Sequence, residues 1–138
     1  MIKLKFKKVI KTRIKEFREE KSLTQKEFAD IIGVSRQTIY FLEKGDYNPS
    51  LTLSFKIAEL LDKPLNQIFY LESLIKIKIE SLSLKELKKI ASNLNIKYDK
   101  LVYLSEIDEN HILKEFNKDF LRKISNELEM TYEDLFDE

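Results

Sequence analysis

The chain has 138 residues, of which 43% are hydrophobic and 36% charged, a composition typical of a globular protein with one ordinary domain or two small ones. It contains no cysteine, which excludes a disulfide framework and a thiolate metal site. The net charge is +1, but the charges are distributed unevenly along the chain. Residues 1–70 carry 14 basic and 9 acidic side chains, whereas residues 71–138 carry 11 basic and 15 acidic ones. A basic first half favours a polyanionic partner.

The first segments of the chain change from a strand pattern to a helix pattern. Residues 2–7, "IKLKFK", alternate apolar and basic side chains and predict a strand. The apolar spacing of Ile10, Ile14 and Phe17 then predicts a helix. The N-terminus has no continuous apolar core, and no later segment is long and apolar enough to cross a bilayer. We therefore expect a cytoplasmic protein with no membrane partner.

Capping signals delimit the next helices. Thr24 and Glu27 form a capping box, which predicts a helix to about Ile32, and Gly33 supplies a turn. Another helix is predicted between Ser35, a capping serine, and Gly45, a helix-ending glycine. Two more helices are predicted from Ser50 to Leu61 and from Pro64 to Phe69.

The second half is predicted to be helical after one alternating segment. Residues 74–80, "LIKIKIE", alternate isoleucine and lysine, and we expect them to pair with residues 2–7 as a two-stranded β ribbon, either within one chain or between two chains. The alternative is that either segment is the start of an amphipathic helix. Ser83 and Glu86 form a second capping box, which predicts a helix to Asn93. Further helices are predicted at 98–104, 111–128 and 131–137. The fold class is therefore mainly α.

Four segments share one spacing pattern. In each, a small residue is followed at +3 and, after a turn, at +10 by isoleucine or leucine. One interpretation is that any two helices joined by a turn give this spacing. The other is that residues 71–138 are a degenerate second copy of residues 1–70. The segments are "ADIIGVSRQTI" (29–39), "AELLDKPLNQI" (58–68), "ASNLNIKYDKL" (91–101) and "SNELEMTYEDL" (125–135).

The helix after Ser35 has two different faces. Ile39 and Leu42 are spaced to hold it on a core, which leaves Arg36, Gln37, Tyr40 and Phe41 on the outside. Arginine bonds bidentately to guanine and glutamine to adenine, and a helix fits the major groove of B-DNA. The outer face is therefore predicted to read bases.

Residues 13–69 resemble the Xre/Cro-type family of phage-repressor-like helix-turn-helix regulators. The resemblance rests on the "TQ-x-E-F-A-x-x-x-G-V-S-R-Q-T-I" core and the "E-K-G-x-x-N-P-S" loop. It implies a five-helix domain that binds double-stranded DNA. It also implies that Arg18 and Glu43 form a structural pair, and that Gln25, Lys44, Asn48 and Ser50 contact phosphates. The full set of predicted DNA-binding residues is Gln25, Ser35, Arg36, Gln37, Thr38, Tyr40, Phe41, Lys44, Asn48 and Ser50.

Two aromatic residues depart from the family pattern. Family members usually carry small or polar residues where Tyr40 and Phe41 stand here. Phe41 is suited to a thymine methyl group. The alternative is that both aromatics are buried against the second half of the chain, which would narrow the reading surface.

No catalytic arrangement is evident in the sequence. His111, the only histidine, follows three acidic residues, but a solvated loop before a helix is the simpler interpretation of this segment than a metal site. The sequence has no glycine-rich phosphate loop and no recognisable nucleophile with a base. We therefore expect no enzyme, no catalytic residue, no metal and no cofactor.

The acidic second half is not expected to read DNA. At the positions matching Arg36 and Gln37, the third segment carries Tyr98 and Asp99 and the fourth carries Tyr132 and Glu133. A carboxylate is repelled by phosphates. Residues 1–70 are therefore predicted to be the DNA-binding domain with an N-terminal strand-like arm, and residues 71–138 to be an acidic helical domain for dimerisation or regulation.

The sequence thus predicts a sequence-specific transcriptional regulator, a repressor that binds a two-fold operator as a homodimer. The alternative is an antitoxin-like or inhibitor-like module that binds a protein partner, through the helix-turn-helix surface or through residues 71–138.

Overall fold

The computed structural model describes residues 3–138, and this part of the chain is mainly α, as predicted. Short strands accompany the helices: β1 (Lys5–Phe6), β2 (Lys8–Thr12), β3 (Phe69–Ser73) and β4 (Phe136–Asp137). A 3₁₀ turn spans Glu109–His111. The helices are α1 (Ile14–Glu20), α2 (Gln25–Ile32), α3 (Arg36–Lys44), α4 (Leu51–Leu61), α5 (Leu65–Ile68), α6 (Leu74–Glu80), α7 (Leu84–Asn93), α8 (Tyr98–Glu106), α9 (Ile112–Glu115), α10 (Lys118–Glu127) and α11 (Tyr132–Leu135).

The chain divides into two compact units. The first unit is Ile10–Leu71, and the second unit combines the described residues up to Val9 with Glu72–Glu138. Each has its own apolar core, which for the first unit is formed by helices α1 to α5. The buried core of the first unit comprises Ile14, Phe28, Ala29, Ile32, Ile39, Leu42, Ile57, Leu61 and Ile68.

The N-terminal residues pack with the end of the chain. β1 pairs antiparallel with β4, in a register that places Lys5 opposite Asp137 and Phe6 opposite Phe136. The Lys7 amide donates to the Leu135 carbonyl over 2.9 Å. β2 pairs with β3 in another two-stranded sheet.

The predicted pairing of residues 2–7 with 74–80 is wrong, because 74–80 forms helix α6. Ser73 caps this helix by accepting a hydrogen bond from the Lys76 amide over 3.2 Å. Ile75 and Ile79 are buried together on one side of it. Alternate isoleucines include an i, i+4 pair, so the same letters suit a helix once a cap starts it.

Helical structure also begins later than predicted at the N-terminus. Ile10 lies in strand β2 rather than in a helix, and α1 starts at Ile14. The Thr12 hydroxyl accepts from the Ile14 amide over 2.9 Å and marks the change. Of the predicted strand 2–7, Lys5 and Phe6 are in β1, whereas Ile2 lies outside the described residues.

The helix predicted over 111–128 is divided in two. Phe116 is extended, with φ −134° and ψ 131°, and separates α9 from α10. The Asn117 side chain then caps α10 by accepting from the Phe120 amide over 2.8 Å. Phe116 is buried in the core of the second unit, so its packing favours the extended backbone over a continuous helix.

The four segments with the shared spacing pattern have the same local backbone geometry. In each, the residue at +4 is left-handed: Gly33, Asp62, Asn95 and Glu129. In each, the amide at +5 donates to the carbonyl of the small residue, closing the helix end. These bonds join Val34 to Ala29 (3.0 Å), Lys63 to Ala58 (3.3 Å), Ile96 to Ala91 (3.0 Å) and Met130 to Ser125 (3.0 Å).

Candidate nucleic-acid interface

A capped helix pair forms the centre of the first unit. The Thr24 hydroxyl accepts from the Glu27 amide, and the Glu27 carboxylate accepts from the Thr24 amide, so both halves of the predicted capping box are present at the start of α2. Gly33 ends α2 with φ 89°, a conformation that favours glycine. The chain then turns into α3, whose Ser35 cap accepts from the Thr38 amide over 3.1 Å.

One side of α3 is fixed on the core and the other is open to solvent. Ile39 and Leu42 are fully buried. Arg36 and Gln37 are exposed in the first turn of the helix. Within residues 3–138, neither side chain makes a hydrogen bond or ion pair with another residue. Both are therefore available to an external ligand.

Two aromatic rings extend the exposed face. Tyr40 is 44% exposed and Phe41 is 37% exposed. Their ring centroids lie 5.5 Å apart in an edge-to-face arrangement. The Lys44 ammonium lies 5.2 Å from the centre of the Tyr40 ring. This recognition face comprises Arg36, Gln37, Tyr40, Phe41 and Lys44.

Lys44 places a positive charge at the end of α3. Its pKa is raised above the ordinary lysine value, first by the nearby Tyr40 hydroxyl group and then by Asp46. The Lys44 Nζ to Asp46 Oδ2 distance is 3.5 Å, and both side chains are exposed. An exposed pair of this kind exchanges readily with another anion, because its Coulomb energy in water is small.

The hydroxyl residues among the predicted contacts cap helices. The Ser35 and Thr38 oxygens lie 2.8 Å apart at the start of α3. Ser50 caps α4 by accepting from the Leu53 amide over 3.1 Å. Asn48 is exposed in the loop between α3 and α4. Ser35, Thr38 and Ser50 thus have a structural role, whatever else they bind.

A buried ion pair joins α1 to α3, as the family resemblance implies. Arg18 Nε donates to Glu43 Oε2 over 2.7 Å, and Arg18 Nη2 donates to Glu43 Oε1 over 3.0 Å. Arg18 Nη1 also donates to the Leu23 carbonyl over 2.7 Å. The hydrogen bond to Glu43 raises the pKa of Arg18 although burial opposes this. Such fork-to-fork pairing fixes the orientation of both side chains.

Gln25 has a partner that sequence reasoning missed. The Gln25 Nε2 donates to Glu43 Oε1 over 3.2 Å. The side chain that was predicted to contact a phosphate is therefore bonded to the edge of the buried ion pair. This hydrogen bond uses one N–H of the Gln25 amide group, so the carbonyl oxygen and the second N–H remain available to another group. The only indication of this hydrogen bond in the sequence was that Arg18 and Glu43 were already expected to pair nearby.

Among residues 3–138, no group of three or more His, Cys, Asp or Glu side chains is arranged to hold a metal ion. His111 is exposed at the end of the 3₁₀ turn. Over the same residues, no helix has the length and apolar character needed to cross a membrane.

Helices α2 and α3 are joined by a tight turn at the left-handed residue Gly33, and the outer side of α3 is exposed, basic and aromatic. This arrangement defines a helix-turn-helix unit. The helix-turn-helix family model matches residues 14–68. An uncharacterized HTH-type transcriptional regulator of Archaeoglobus fulgidus is 53% identical over 60 residues, covering 44% of this chain and 84% of that protein.

Relatives from two other organisms match a similar share of the chain. An uncharacterized HTH-type transcriptional regulator of Methanocaldococcus jannaschii is 46% identical over 63 residues, which are 46% of this chain and 96% of that protein. The YgzD regulator of Bacillus subtilis, described in the same words, is 38% identical over 63 residues, with the same two shares. The chain belongs to the Xre/Cro-like helix-turn-helix family, whose members are DNA-binding transcriptional regulators.

Proposed function

We propose that the chain represses transcription by binding a specific two-fold site in duplex DNA, with the recognition face of α3 in the major groove. The observation that carries this proposal is the exposure of Arg36 and Gln37, side by side and without protein partners, on a helix whose opposite side is locked into a core. In the major groove these side chains would match guanine and adenine edges, and Phe41 is suited to contact a thymine methyl group.

Positioning residues surround the base-reading ones. In this proposal, phosphates are contacted by Lys44, Asn48, Ser50 and Gln25. Such contacts set the register of the helix in the groove without reading the sequence. The N-terminus of α4, capped by Ser50, adds backbone amides that favour an anion.

A two-fold site requires two copies of the chain. One helix-turn-helix unit reads few base pairs, and dimers bind half-sites whose centres are roughly 34–36 Å apart. The protein is therefore proposed to act as a homodimer that excludes other proteins from its site.

The second unit has a different role in this proposal. Its helix α8 exposes Tyr98, Asp99, Lys100, Tyr103 and Glu106. The two carboxylates outnumber the one ammonium group, which disfavours DNA and suits a protein partner with basic groups. The second candidate function, a protein-interaction module, is thus proposed for residues 71–138 alongside DNA binding.

Selection from a library of random duplexes tests the proposal. The full chain should enrich one motif with two-fold symmetry, and the Arg36→Ala/Gln37→Ala variant should enrich none, at unchanged circular dichroism. Enrichment of the same motif by the double variant would remove α3 as the reading helix. Failure of the parent chain to enrich any motif would leave protein binding as the better assignment.

A further inference from the structure

Helices α3 and α8 occupy corresponding positions in the two units. Residues 29–51 align without a gap to 91–113, and each of the two helices has nine residues. In both, two apolar residues three positions apart are buried and hold the inner side of the helix on a core. These residues are Ile39 and Leu42 in α3 and Leu101 and Leu104 in α8. The outer sides of α3 and α8 can therefore be compared position by position.

The outer side of α8 carries a carboxylate at each end. Its acidic stripe, which comprises Asp99, Val102, Tyr103 and Glu106, has the spacing i, i+3, i+4 and i+7 that places all four on one face of the helix. Asp99 and Glu106 are exposed. No ion pair within residues 3–138 involves either of them. The two charges lie about 10 Å apart along the axis, given the rise of an α-helix per residue.

Aromatic contacts fix the centre of the acidic stripe. The Tyr103 ring is 45% exposed and stacks on Phe116, with the ring centroids 6.5 Å apart. The Lys100 ammonium lies 5.5 Å from the centre of the Phe116 ring and 5.9 Å from the centre of the Phe120 ring. Lys100 is therefore held against these rings and is not paired with a carboxylate of the stripe. Because the Tyr103 ring is already fixed, a partner that binds it loses little side-chain entropy.

The recognition face of α3 has the complementary arrangement of charges. Arg36 and Lys44 are basic groups at the two ends of the helix, about 12 Å apart along its axis, and the Tyr40 and Phe41 rings lie between them. Lys44 can exchange Asp46, at 3.5 Å, for another anion, because both side chains of that pair are exposed. Whether the two helices run parallel or antiparallel, each cation of α3 meets a carboxylate of α8 and the aromatic centres face each other.

We infer that the acidic stripe of one copy of this chain docks on the recognition face of a second copy and competes there with DNA. Opposite charges favour this contact and oppose contact between two like faces. Exposed ion pairs each contribute little and are screened by salt, so the contact is weak and reversible. The inference rests on the proposed function in one respect, since competition requires that the recognition face binds DNA. Copies in excess of the specific sites then cover each other's recognition faces instead of binding phosphates at random.

Two charge-reversed variants of the full chain test the contact without DNA. Arg36→Glu/Lys44→Glu has two acidic faces, and Asp99→Lys/Glu106→Lys has two basic ones. One variant is immobilised and the other is passed over it at micromolar concentration in low salt, with binding followed by biolayer interferometry. The mixed pair should associate about tenfold or more tightly than either variant associates with itself, because only the mixed pair brings opposite charges together. Equal binding in all three combinations would overturn the inference.

A matched control separates the acidic stripe from net charge. Glu115→Lys/Glu133→Lys makes the same change in net charge as Asp99→Lys/Glu106→Lys, but at two exposed carboxylates outside α8. The control keeps both faces, so it should associate with itself more tightly than Asp99→Lys/Glu106→Lys does. Equal self-association of the two variants would mean that net charge, and not the stripe, governs the contact.

Single-cysteine variants replace any charge-reversed variant that loses its helical circular dichroism. The chain has no cysteine, so each introduced thiol reports one position. A short bis-maleimide should join Tyr40→Cys to Tyr103→Cys in a mixture of the two chains, and mass spectrometry identifies the mixed product. Ile31→Cys is the control for Tyr40→Cys, because Ile31 is 58% exposed on α2 of the same unit and lies outside the recognition face. Equal cross-linking of Tyr103→Cys to both partners would reject the contact.

Binding to DNA separates this inference from the proposed function. A saturating duplex with the selected site should abolish the cross-link between Tyr40→Cys or Gln37→Cys and Tyr103→Cys, because DNA and the acidic stripe use the same face. A cross-link that persists on saturating DNA would overturn the competition. At protein concentrations below the range of self-association, substitutions in the stripe should leave the DNA affinity unchanged. If no duplex is selected at all, the proposed function fails, whereas the charge-reversed pair still decides whether the two faces dock.

Discussion

Helices α3 and α8 have the same length and the same position in their units, yet their exposed faces differ in charge. In α3 the outer positions hold Arg36, Gln37 and Lys44, and in α8 the corresponding positions hold Tyr98, Asp99 and Glu106. The buried positions agree much better, because Ile39 and Leu42 correspond to Leu101 and Leu104. The buried positions thus preserve the helix pair, whereas the exposed positions, where binding is expected, have diverged.

The interiors of the two units differ where α1 and α6 contact the helices just compared. In the first unit, Arg18 of α1 is paired with Glu43 of α3. In the second unit, α6 contributes Ile75 and Ile79 to the core, and the residue matching Glu43 is Ser105. The Ser105 hydroxyl donates to the Val102 carbonyl of its own helix. One unit thus uses a buried ion pair where the other uses apolar packing.

The largest expected effect comes from breaking this ion pair. Arg18→Ala or Glu43→Ala should each lower the free energy of unfolding by about 3–5 kcal/mol, because each leaves an uncompensated buried charge. The double substitution Arg18→Met/Glu43→Leu, which imitates the apolar interior of the second unit, should recover most of that loss. Urea denaturation of all four chains measures the differences. Single variants as stable as the parent would mean that the pair contributes nothing to the fold.

The next prediction tests whether the exposed faces of α3 and α8 differ in DNA binding. Gln37→Ala should weaken binding to the selected duplex by about 1–3 kcal/mol, and mainly at one base position, because it removes one bidentate contact. Asp99→Ala, at the matching position of α8, is the control and should leave the affinity unchanged. Competition binding against duplexes with single base changes provides the measurement. A similar loss from both substitutions would indicate that both units contact DNA.

Lys44 of α3 and Glu106 of α8 test the same difference through the salt dependence of DNA binding, where a smaller effect is expected. Lys44→Ala should weaken binding to all sequences about equally and lower the slope of log affinity against log salt by about one unit, since one phosphate contact is lost. Glu106→Gln should leave the slope unchanged. Affinities at several salt concentrations give both values. A loss confined to one base position would instead make Lys44 a base-reading residue.

The sequence predicted the local features well because short-range chemistry determines them. The capping boxes at Thr24 and Ser83, the caps at Ser35 and Ser50 and the left-handed Gly33 all depend on residues within a few positions. The outward position of Arg36 and Gln37 followed from helical spacing alone.

Long-range features were not predictable in the same way. The pairing of Lys5–Phe6 with Phe136–Asp137 joins the two ends of the chain, and no local pattern specifies it. The isoleucines of α6 fit both a strand and a helix, and the Ser73 cap with burial of Ile75 and Ile79 decided between them. The bond between Gln25 and Glu43 depends on how α2 and α3 pack, which spacing does not give.

The smallest expected effect concerns Glu109, which stands in the second unit where the first has Tyr47. Burial alone would raise the pKa of Glu109, but hydrogen bonds from the Phe6 amide at 3.0 Å and from Lys8 at 3.1 Å lower it overall. A carboxylate whose pKa is lower in the folded chain stabilises the fold above its ordinary pKa of 4.5, and this contribution is lost as the pH falls through the folded value.

The Glu109→Gln variant should therefore be less stable than the parent at neutral pH, and the difference should shrink as the solution is acidified below pH 4.5. Glu115→Gln is the control, because Glu115 is exposed at the end of α9, and it should change stability little at any pH. Melting temperatures of the three chains from neutral to acidic pH make the comparison. A difference between Glu109→Gln and the parent that stays constant with pH would mean that the carboxylate charge does not hold the N-terminal strand to the 3₁₀ turn.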